Sequence, residues 1–397
     1  MLYMRILGIE TSCDETSLCI LDAHIDVHTG TTIYTNKSHI IVSQASLHEE
    51  YGGVFPAMAK REHQKNIIPA LSQLFKKLSP PEDQEILFSE KSNELQTILE
   101  REPTVYEFLS QQTDIHNNPN IDAIAVTHGP GLEPALWVGI NTAKALGNLW
   151  NIPVIPVNHM EGHIWSVYAN EESFSLPENT EFPITALLVS GGHTELVLVK
   201  DFCDYEIIGQ TKDDASGEAF DKIARLLGLS YPGGVHISRL AKQARVNALL
   251  NPFTFPRPMM HTPDFNFSFS GLKTSVRYTV DKEIIKDKDI LSSEVFQQYI
   301  AQETEDAIVD VLTAKTVRAI NQYQTKTCII AGGVSANAQL RIVLKDKLEA
   351  MGVTLLVPPL SLTGDNALMI ALAGHIQYKK NPDTICGDIR AVGSLSL

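Results

Sequence analysis

The residues best equipped for chemistry stand in Asn158-His159-Met160-Glu161-Gly162-His163. Two histidines four apart on a helix share a face, so both imidazoles can chelate one divalent metal. A chance His-x-x-x-His has the same spacing, and a carboxylate must complete such a site. Asp365, in Leu362-Thr363-Gly364-Asp365-Asn366-Ala367, is the best candidate, because it follows a glycine at the start of an Ala-rich helical segment. Spacing alone does not select it. A zincin peptidase needs its Glu directly after the first His. Glu161 is two residues on, rotated off the metal-water side, so the pattern favours metal binding without peptidase chemistry.

A second set is Asp213-Asp214-Ala215-Ser216-Gly217-Glu218-Ala219-Phe220-Asp221-Lys222. Asp214, Glu218 and Asp221 recur along one helical face, which can accept hydrogen bonds from ribose hydroxyls; a solvated acidic face has the same spacing. Tyr231-Pro232-Gly233-Gly234 then allows close backbone approach to a ligand. Phe265-Asn266-Phe267-Ser268-Phe269-Ser270-Gly271-Leu272-Lys273 alternates as a half-buried strand. Its end offers Ser270, Gly271 and Lys273 to a phosphate or RNA.

The elements that must position these groups repeat. Ile6-Leu7-Gly8-Ile9 and Leu18-Cys19-Ile20-Leu21 flank the turn Glu10–Thr16. Ala186-Leu187-Leu188-Val189 and Leu196-Val197-Leu198-Val199 flank Ser190-Gly191-Gly192-His193-Thr194. Both read as strand, polar turn, strand. Each half then has a strand, a glycine turn and a helix: Ile121–Val126 into Thr127-His128-Gly129-Pro130-Gly131, and Cys328-Ile329-Ile330 into Ala331-Gly332-Gly333-Val334-Ser335-Ala336-Asn337. The fold expected is α/β: two actin-like, Hsp70-like (ribonuclease H-like) lobes with a nucleotide and metal cleft between them. The hairpin turns would present backbone N–H groups to phosphate. No P-loop is present, and Pro134 stands where a dinucleotide fingerprint needs its third glycine. We place a first lobe at 1–158, a second at 159–364, and a C-terminal helical segment, 365–397, packing back towards the first.

The chain has 397 residues, 44% hydrophobic and 20% charged, with a net charge of −15. No apolar run reaches the roughly 18 residues of a membrane span. The N-terminus resembles neither a signal nor a transit peptide, and five cysteines without a Cys-x-x-Cys pair make no disulfide framework. We therefore expect a cytoplasmic protein away from membranes. The charge is uneven. Pro80–Asp114 carries −7 and reads as a solvated helical insertion within about 80–120, whereas Lys222–Val280 carries +7. The overall charge argues against a nucleic-acid partner, but affinity follows local potential, and the basic segment 222–280 is what a phosphate-contacting face needs. Neutralising Arg239, Lys242 and Arg245 should weaken such binding.

Taken in order, Ile9-Glu10-Thr11-Ser12-Cys13-Asp14-Glu15-Thr16, Tyr51-Gly52-Gly53-Val54, Gly129-Pro130-Gly131-Leu132, His159–His163, Val189–Thr194, Gly217–Asp221, Phe269–Lys273 and Ala331–Asn337 resemble the TsaD family. These are tRNA N6-adenosine threonylcarbamoyltransferases, once known as O-sialoglycoprotein endopeptidases. The resemblance spans nearly the whole chain apart from the acidic insertion, and it suggests Met4 as the start. It implies transfer of a threonylcarbamoyl group from threonylcarbamoyl-AMP to N6 of adenosine 37, in tRNAs reading codons that start with A, with release of AMP. His159, His163 and Asp365 match the family's metal ligands. Two His and one Asp suit Fe2+, our first choice, and Zn2+. Leu188, Val189, Ser190, Gly191 and Gly192, with Asp221, Gly234 and Asn337, match its adenylate-binding positions. Archaeal relatives have Tyr at the position of Leu188, and many bacterial ones have His at that of Asn158. For a bacterial member the resemblance also implies a TsaB-like paralogue and a TsaE-like ATPase. Asp14 and Glu15, in the first hairpin turn, are our candidates for deprotonating the incoming amine. The rivals are a metallopeptidase, a non-catalytic actin-like scaffold and a kinase of the same superfamily, the last separable by ADP rather than AMP as product.

Overall fold

Each repeated half folds into an α/β unit of its own. The computed structural model describes residues 3–76, 78, 88–112, 115–177, 180–382 and 388–397. In chain order the elements are β1 (Tyr3–Glu10), β2 (Glu15–Ile25), β3 (Thr32–Ser43), α1 (Ala45–His48), α2 (Pro56–Phe75), α3 (Phe88–Ile98), α4 (Pro103–Gln111), β4 (Ala123–Gly129), α5 (Glu133–Trp150), β5 (Val154–Asn158), α6 (His159–Trp165) and β6 (Ser173–Ser175). They continue as β7 (Ile184–Val189), β8 (Thr194–Asp201), β9 (Asp204–Gln210), α7 (Ser216–Leu226), α8 (Gly233–Val246), α9 (Ser270–Lys286), α10 (Glu294–Tyr323), β10 (Thr327–Ala331), α11 (Ala338–Ala350), β11 (Thr354–Leu356) and α12 (Ala367–Lys380). No described helix is long and apolar enough to cross a membrane.

The first unit holds a sheet in the order β5-β4-β1-β2-β3-β6, and the second one in the order β11-β10-β7-β8-β9. Both build an antiparallel hairpin, β1–β2 or β7–β8, and extend it on the other side with two parallel strands. This is the actin-like α/β plan expected from the repeats, formed twice.

The unit boundaries differ from our expectation. The first unit comprises Met1–Gln44, Val54–Thr180 and Gly364–Leu397, and the second Ala45–Gly53 and Glu181–Thr363. The division falls at 180/181 rather than 158/159 because β6 pairs with β3 and closes the first sheet's edge. Residues 45–53 go with the second unit, where the Arg225 guanidinium donates to the Gly52 carbonyl oxygen. The C-terminal segment packs in the first unit, where α12 is buried from Ala367 to Ile376 and lies on β1 and β2. A helix apolar all round needs a neighbour on every side. Gly8 and Gly374 permit the approach: a Cβ on Gly8 would lie 2.3 Å from the Ala367 carbonyl oxygen, and one on Gly374 would lie 2.5 Å from Ala125 Cβ.

Both charged segments are more integrated than their sequences suggest. Pro80, Pro81, Glu82, Asp83, Glu85 and Asp114 lie outside the described residues. The remainder of the acidic segment forms α3 and α4, whose Leu95, Val105 and Leu109, with Leu99 between the helices, enter the first unit's core. Glu90, Glu94, Glu100 and Glu107 stay exposed, while Glu102 is buried and accepts from Asn141 Nδ2. The segment is thus a packed part of the unit, solvated on one face only. In the basic segment most cations already have acids. Arg245 pairs with Glu305 and Asp306, and Arg257 with Glu303 and Asp310, all on α10. Lys222 and Lys273 hold Asp214. The +7 therefore describes a stretch of chain, not a surface.

Candidate functional site

In the first unit, β5 ends at Asn158, whose Oδ1 accepts from Met160 N at 2.9 Å and starts α6. One turn of that short helix presents His159 and His163 together, ring centroids 4.7 Å apart and planes at 86°. Asp365 comes from the turn before α12, where Asn366 Oδ1 accepts from Met369 N at 3.0 Å. His159 Nε2 lies 3.2 Å and His163 Nε2 3.1 Å from the same oxygen, Asp365 Oδ1. One ligand atom from each residue falls within 4.8 Å of the others. The structure thus brings together the three residues proposed as metal ligands.

Electrostatics show that this trio suits a cation. Burial opposes charge on His159, yet the Asp365 and Glu10 carboxylates raise its pKa well above the usual value. Burial alone would raise Asp365, but His159 and His163 hold its carboxyl far below the usual carboxylate range. Burial lowers His163, and its Nδ1 is buried without a hydrogen-bond partner among the described residues. Two imidazole nitrogens can share one carboxylate oxygen only if each carries a proton, or if a cation takes the protons' place. With two nitrogens and one oxygen, the donor set fits a divalent transition metal with open positions for substrate.

Sequence reading missed Glu10, the last residue of β1. Fully buried, its Oε2 receives His159 Nδ1–H at 2.9 Å and the Thr127 hydroxyl at 2.6 Å, while Ser12 N donates to Oε1. This fixes the tautomer and leaves the His159 Nε2 lone pair for a metal. The available signal was a carboxylate closing an otherwise apolar strand. Glu10→Gln should weaken metal binding by about 10- to 100-fold. Competition against a chromophoric chelator measures this, and wild-type affinity in the variant would refute the orienting role.

Asp14 is buried in the hairpin turn, and Glu15 opens β2 with its Oε1 accepting from Ser43 Oγ at 3.1 Å. Burial, then the charges of Asp14 and Asp365, push Glu15 up to about 10. Both acids therefore share the electrostatic neighbourhood of the trio. Glu161 does not act there: it is buried, and its Oε2 accepts from Gln377 Nε2 on α12 at 2.6 Å. That removes the general base a metallopeptidase would need.

In the second unit, Leu188 and Val189 are fully buried in β7, so their side chains are closed to ligands. The turn after them is open. Ser190 N donates to His193 O at 2.9 Å and His193 N to Ser190 Oγ at 3.1 Å, with Gly191 and Gly192 exposed and nothing within 4 Å of where their Cβ atoms would be. The first turn of α7 packs directly on it, a Cβ at Gly217 falling 2.6 Å from Ser190 O. Farther along α7, Asp221 Oδ1 accepts from Gly233 N at 2.7 Å, which places it beside Gly234 at the start of α8. Asp221 also lines a cleft of about 270 Å3 with Glu49, Tyr51, Gly52, Arg225, Leu229, Ser230 and Tyr231. Asn337 caps α11, its Oδ1 accepting from Leu340 N at 2.8 Å.

Two expected groups are occupied elsewhere. Asp214 is held by Lys222 and Lys273 at 2.8 and 2.7 Å, and Glu218 by Lys222 at 2.8 Å, leaving Asp221 as the carboxylate of that face that lines the cleft. Of the segment Phe265–Phe269 expected as a strand, only Phe267 pairs as a single parallel bridge, with Thr211. Asp213 takes the Phe269 and Ser270 N–H groups and the Ser268 and Ser270 hydroxyls, so ladder donors become a helix cap. The alternation instead buries Phe265, Phe267 and Phe269 in the second core. Ser270 and Lys273 are committed to Asp213 and Asp214 rather than free for phosphate.

Glu195 on β8, paired across the sheet with Leu188, is raised by burial from 4.5 to about 7. Folding favours its protonated form, so stability is full below 4.5 and falls as pH rises to about 7. Glu195→Gln should melt like wild type at pH 4 and higher than wild type at pH 8. Equal melting temperatures at pH 8 would contradict this.

The family described as tRNA N6-adenosine threonylcarbamoyltransferase, TsaD, matches residues 36–89 and 98–372. A protein of that name from Persephonella marina is 39% identical over 385 residues, covering 96% of this chain and 92% of its own length. Another from Bacillus subtilis is 40% identical over 378 residues, covering 95% and 91%. Among solved structures, full-length HypF in its phosphate- and nucleotide-bound form is similar in fold alone, with a TM-score of 0.50 at 12% identity over 98% of this chain and 47% of that one.

Proposed function

This chain belongs to the TsaD family, an acyltransferase family that modifies tRNA, and from that premise we propose its substrates, metal and partners. It transfers the threonylcarbamoyl group of threonylcarbamoyl-AMP to N6 of adenosine 37, in tRNAs reading codons that start with A. The convergence of His159 and His163 Nε2 on Asp365 Oδ1 carries this reading. These three residues would hold Fe2+ or, failing that, Zn2+. Bound there, the cation supplies a Lewis acid for the carbamoyl oxygen.

The protein's own groups do the rest. The N–H groups of Gly191 and Gly192, in the open turn after β7, receive the adenylate phosphate. The Asp221 carboxylate accepts from a ribose hydroxyl, and Asn337 meets the nucleoside. As the N6–carbamoyl bond forms, the bond from the carbamoyl carbon to the phosphate oxygen breaks and AMP departs. Of the two acids in the first hairpin turn, Asp14 takes up the proton that N6 releases, because Glu15, pushed up to about 10, already carries one near neutral pH.

On α8, Arg239 and Lys242 are exposed and held by no carboxylate among the described residues, so they are the basic segment's cations for tRNA phosphate. Replacing both by Ala should lower the salt slope of tRNA binding by about two. Arg245→Ala, which strips the buried Glu305 of its cationic partner, should destabilise the fold instead. A TsaB-like paralogue and a TsaE-like ATPase complete the proposed system, and a tRNA substrate places it in the cytoplasm.

The test is reconstitution from metal-loaded protein, threonylcarbamoyl-AMP and unmodified tRNA, with and without the partner proteins, read by nucleoside mass spectrometry and AMP release. Absence of modified adenosine under every partner set would sink the proposal.

A further inference from the structure

Asn337 is constrained well beyond its role as a cap. Its Nδ2 makes two bonds, to Ser238 Oγ at 2.7 Å and to Glu305 Oε1 at 2.6 Å, which uses both amide protons. Its Oδ1 accepts from Leu340 N. Ser238 in turn donates to the same Glu305 oxygen at 2.8 Å, closing a triangle between α8, α10 and the start of α11. Glu305 is almost wholly buried, and its other oxygen is held by Arg245, which also grips Asp306. A carboxylate can only accept here, so the network allows one amide orientation: NH2 towards Glu305, carbonyl towards α11. A neutral side chain at 305 would permit either.

One lone pair of Asn337 Oδ1 is then all that its side chain can offer a ligand. We propose that Glu305 is a positioning residue for the adenylate site, fixing Asn337 so that it presents only an acceptor, which selects a hydrogen-bond donor of the nucleoside and rejects its phosphate. This rests on the proposed binding of the adenylate at Asn337. The shared chemistry is a donor group, either a ribose hydroxyl or the exocyclic amine of adenine.

The probe is AMP, bound to full-length protein in calorimetry, with KM and kcat measured on threonylcarbamoyl-AMP. Glu305→Gln should weaken AMP and raise KM about tenfold or more, as expected for one misplaced hydrogen bond in a buried site, with kcat within about twofold. The exchange Glu305→Gln with Asn337→Asp restores a donor facing an acceptor, and should recover most of the loss. A structural defect would give no such recovery. If Glu305→Gln does not fold, Asn337→Asp alone serves: it keeps the cap but sets carboxylate against carboxylate, and should weaken AMP similarly. Comparing AMP with 2′-deoxy-AMP, 3′-deoxy-AMP and purine riboside monophosphate shows which donor is read, since the wild-type preference for that donor should vanish in Asn337→Ala. Wild-type AMP affinity in Glu305→Gln, or in Asn337→Asp if only that variant folds, overturns the inference. If Asn337→Ala nonetheless weakens AMP, adenylate binding at Asn337 stands without it. If Asn337→Ala is also silent, both fall.

Discussion

His159→Ala should abolish metal retention and lower threonylcarbamoyl transfer by about a thousandfold or more, while leaving tRNA affinity near wild type. The magnitude follows from the several kcal/mol a Lewis acid contributes to a transition state that gathers charge on one oxygen. The sharpness follows from geometry. Among the described residues only three donors converge, so losing one leaves two ligands and an Asp365 carboxylate with a single imidazole to neutralise it. His163→Ala should have the same effect by the same argument. His159 binds a proton tightly in the metal-free protein, so metal binding must expel it. Titrations in buffers of different ionisation enthalpy should therefore show proton release near neutral pH, and none in His159→Ala. A variant with no bound metal and undiminished transfer would remove the trio from the reaction.

Much of this was legible in the chain. The paired hairpins and glycine turns stand out because apolar strands broken by small polar residues have few other readings, and His159 and His163 because helix geometry fixes what four residues apart means. Other features depend on contacts no local pattern encodes. Asp365 meets His163 from 202 residues away, through a helix whose return to β1 and β4 depends on Gly8 and Gly374. Glu10 looks like the end of a strand until His159 is seen against it. Counting charge in a window misled for the same reason: the acids that neutralise Arg245 and Arg257 lie 46 to 61 residues on, along α10. The segment 265–269 alternates like a strand, but its ladder stops at one bridge, Phe267 against Thr211, because Asp213 claims the next donors, Phe269 N and Ser270 N. In each case the local pattern was read correctly and the distant partner decided its meaning.

That dependence on a distant helix makes Gly8→Ala the strongest probe of how the fold builds the site. Gly8 is in the middle of β1, directly beneath the start of α12. An added Cβ meets the Ala367 carbonyl oxygen at 2.3 Å and Ala371 Cβ at 3.0 Å. The first of these is backbone and cannot rotate away. Nor can the helix end slide freely, because Ala367 N donates to Ser17 Oγ on β2 at 2.9 Å. Overpacking a full core costs about 1–3 kcal/mol and sometimes more; with main chain against main chain, we expect about 3 kcal/mol or more, read as a lower melting temperature in metal-free protein. The larger consequence is functional. Asp365 lies two residues before Ala367, so lifting α12 withdraws its oxygen from both imidazoles, and metal affinity should fall together with stability. His159→Ala separates the two effects, losing the metal while keeping the packing of α12 on the sheet. If Gly8→Ala melted and bound metal like wild type, the close approach of α12 to β1 would not be what delivers Asp365 to the histidines.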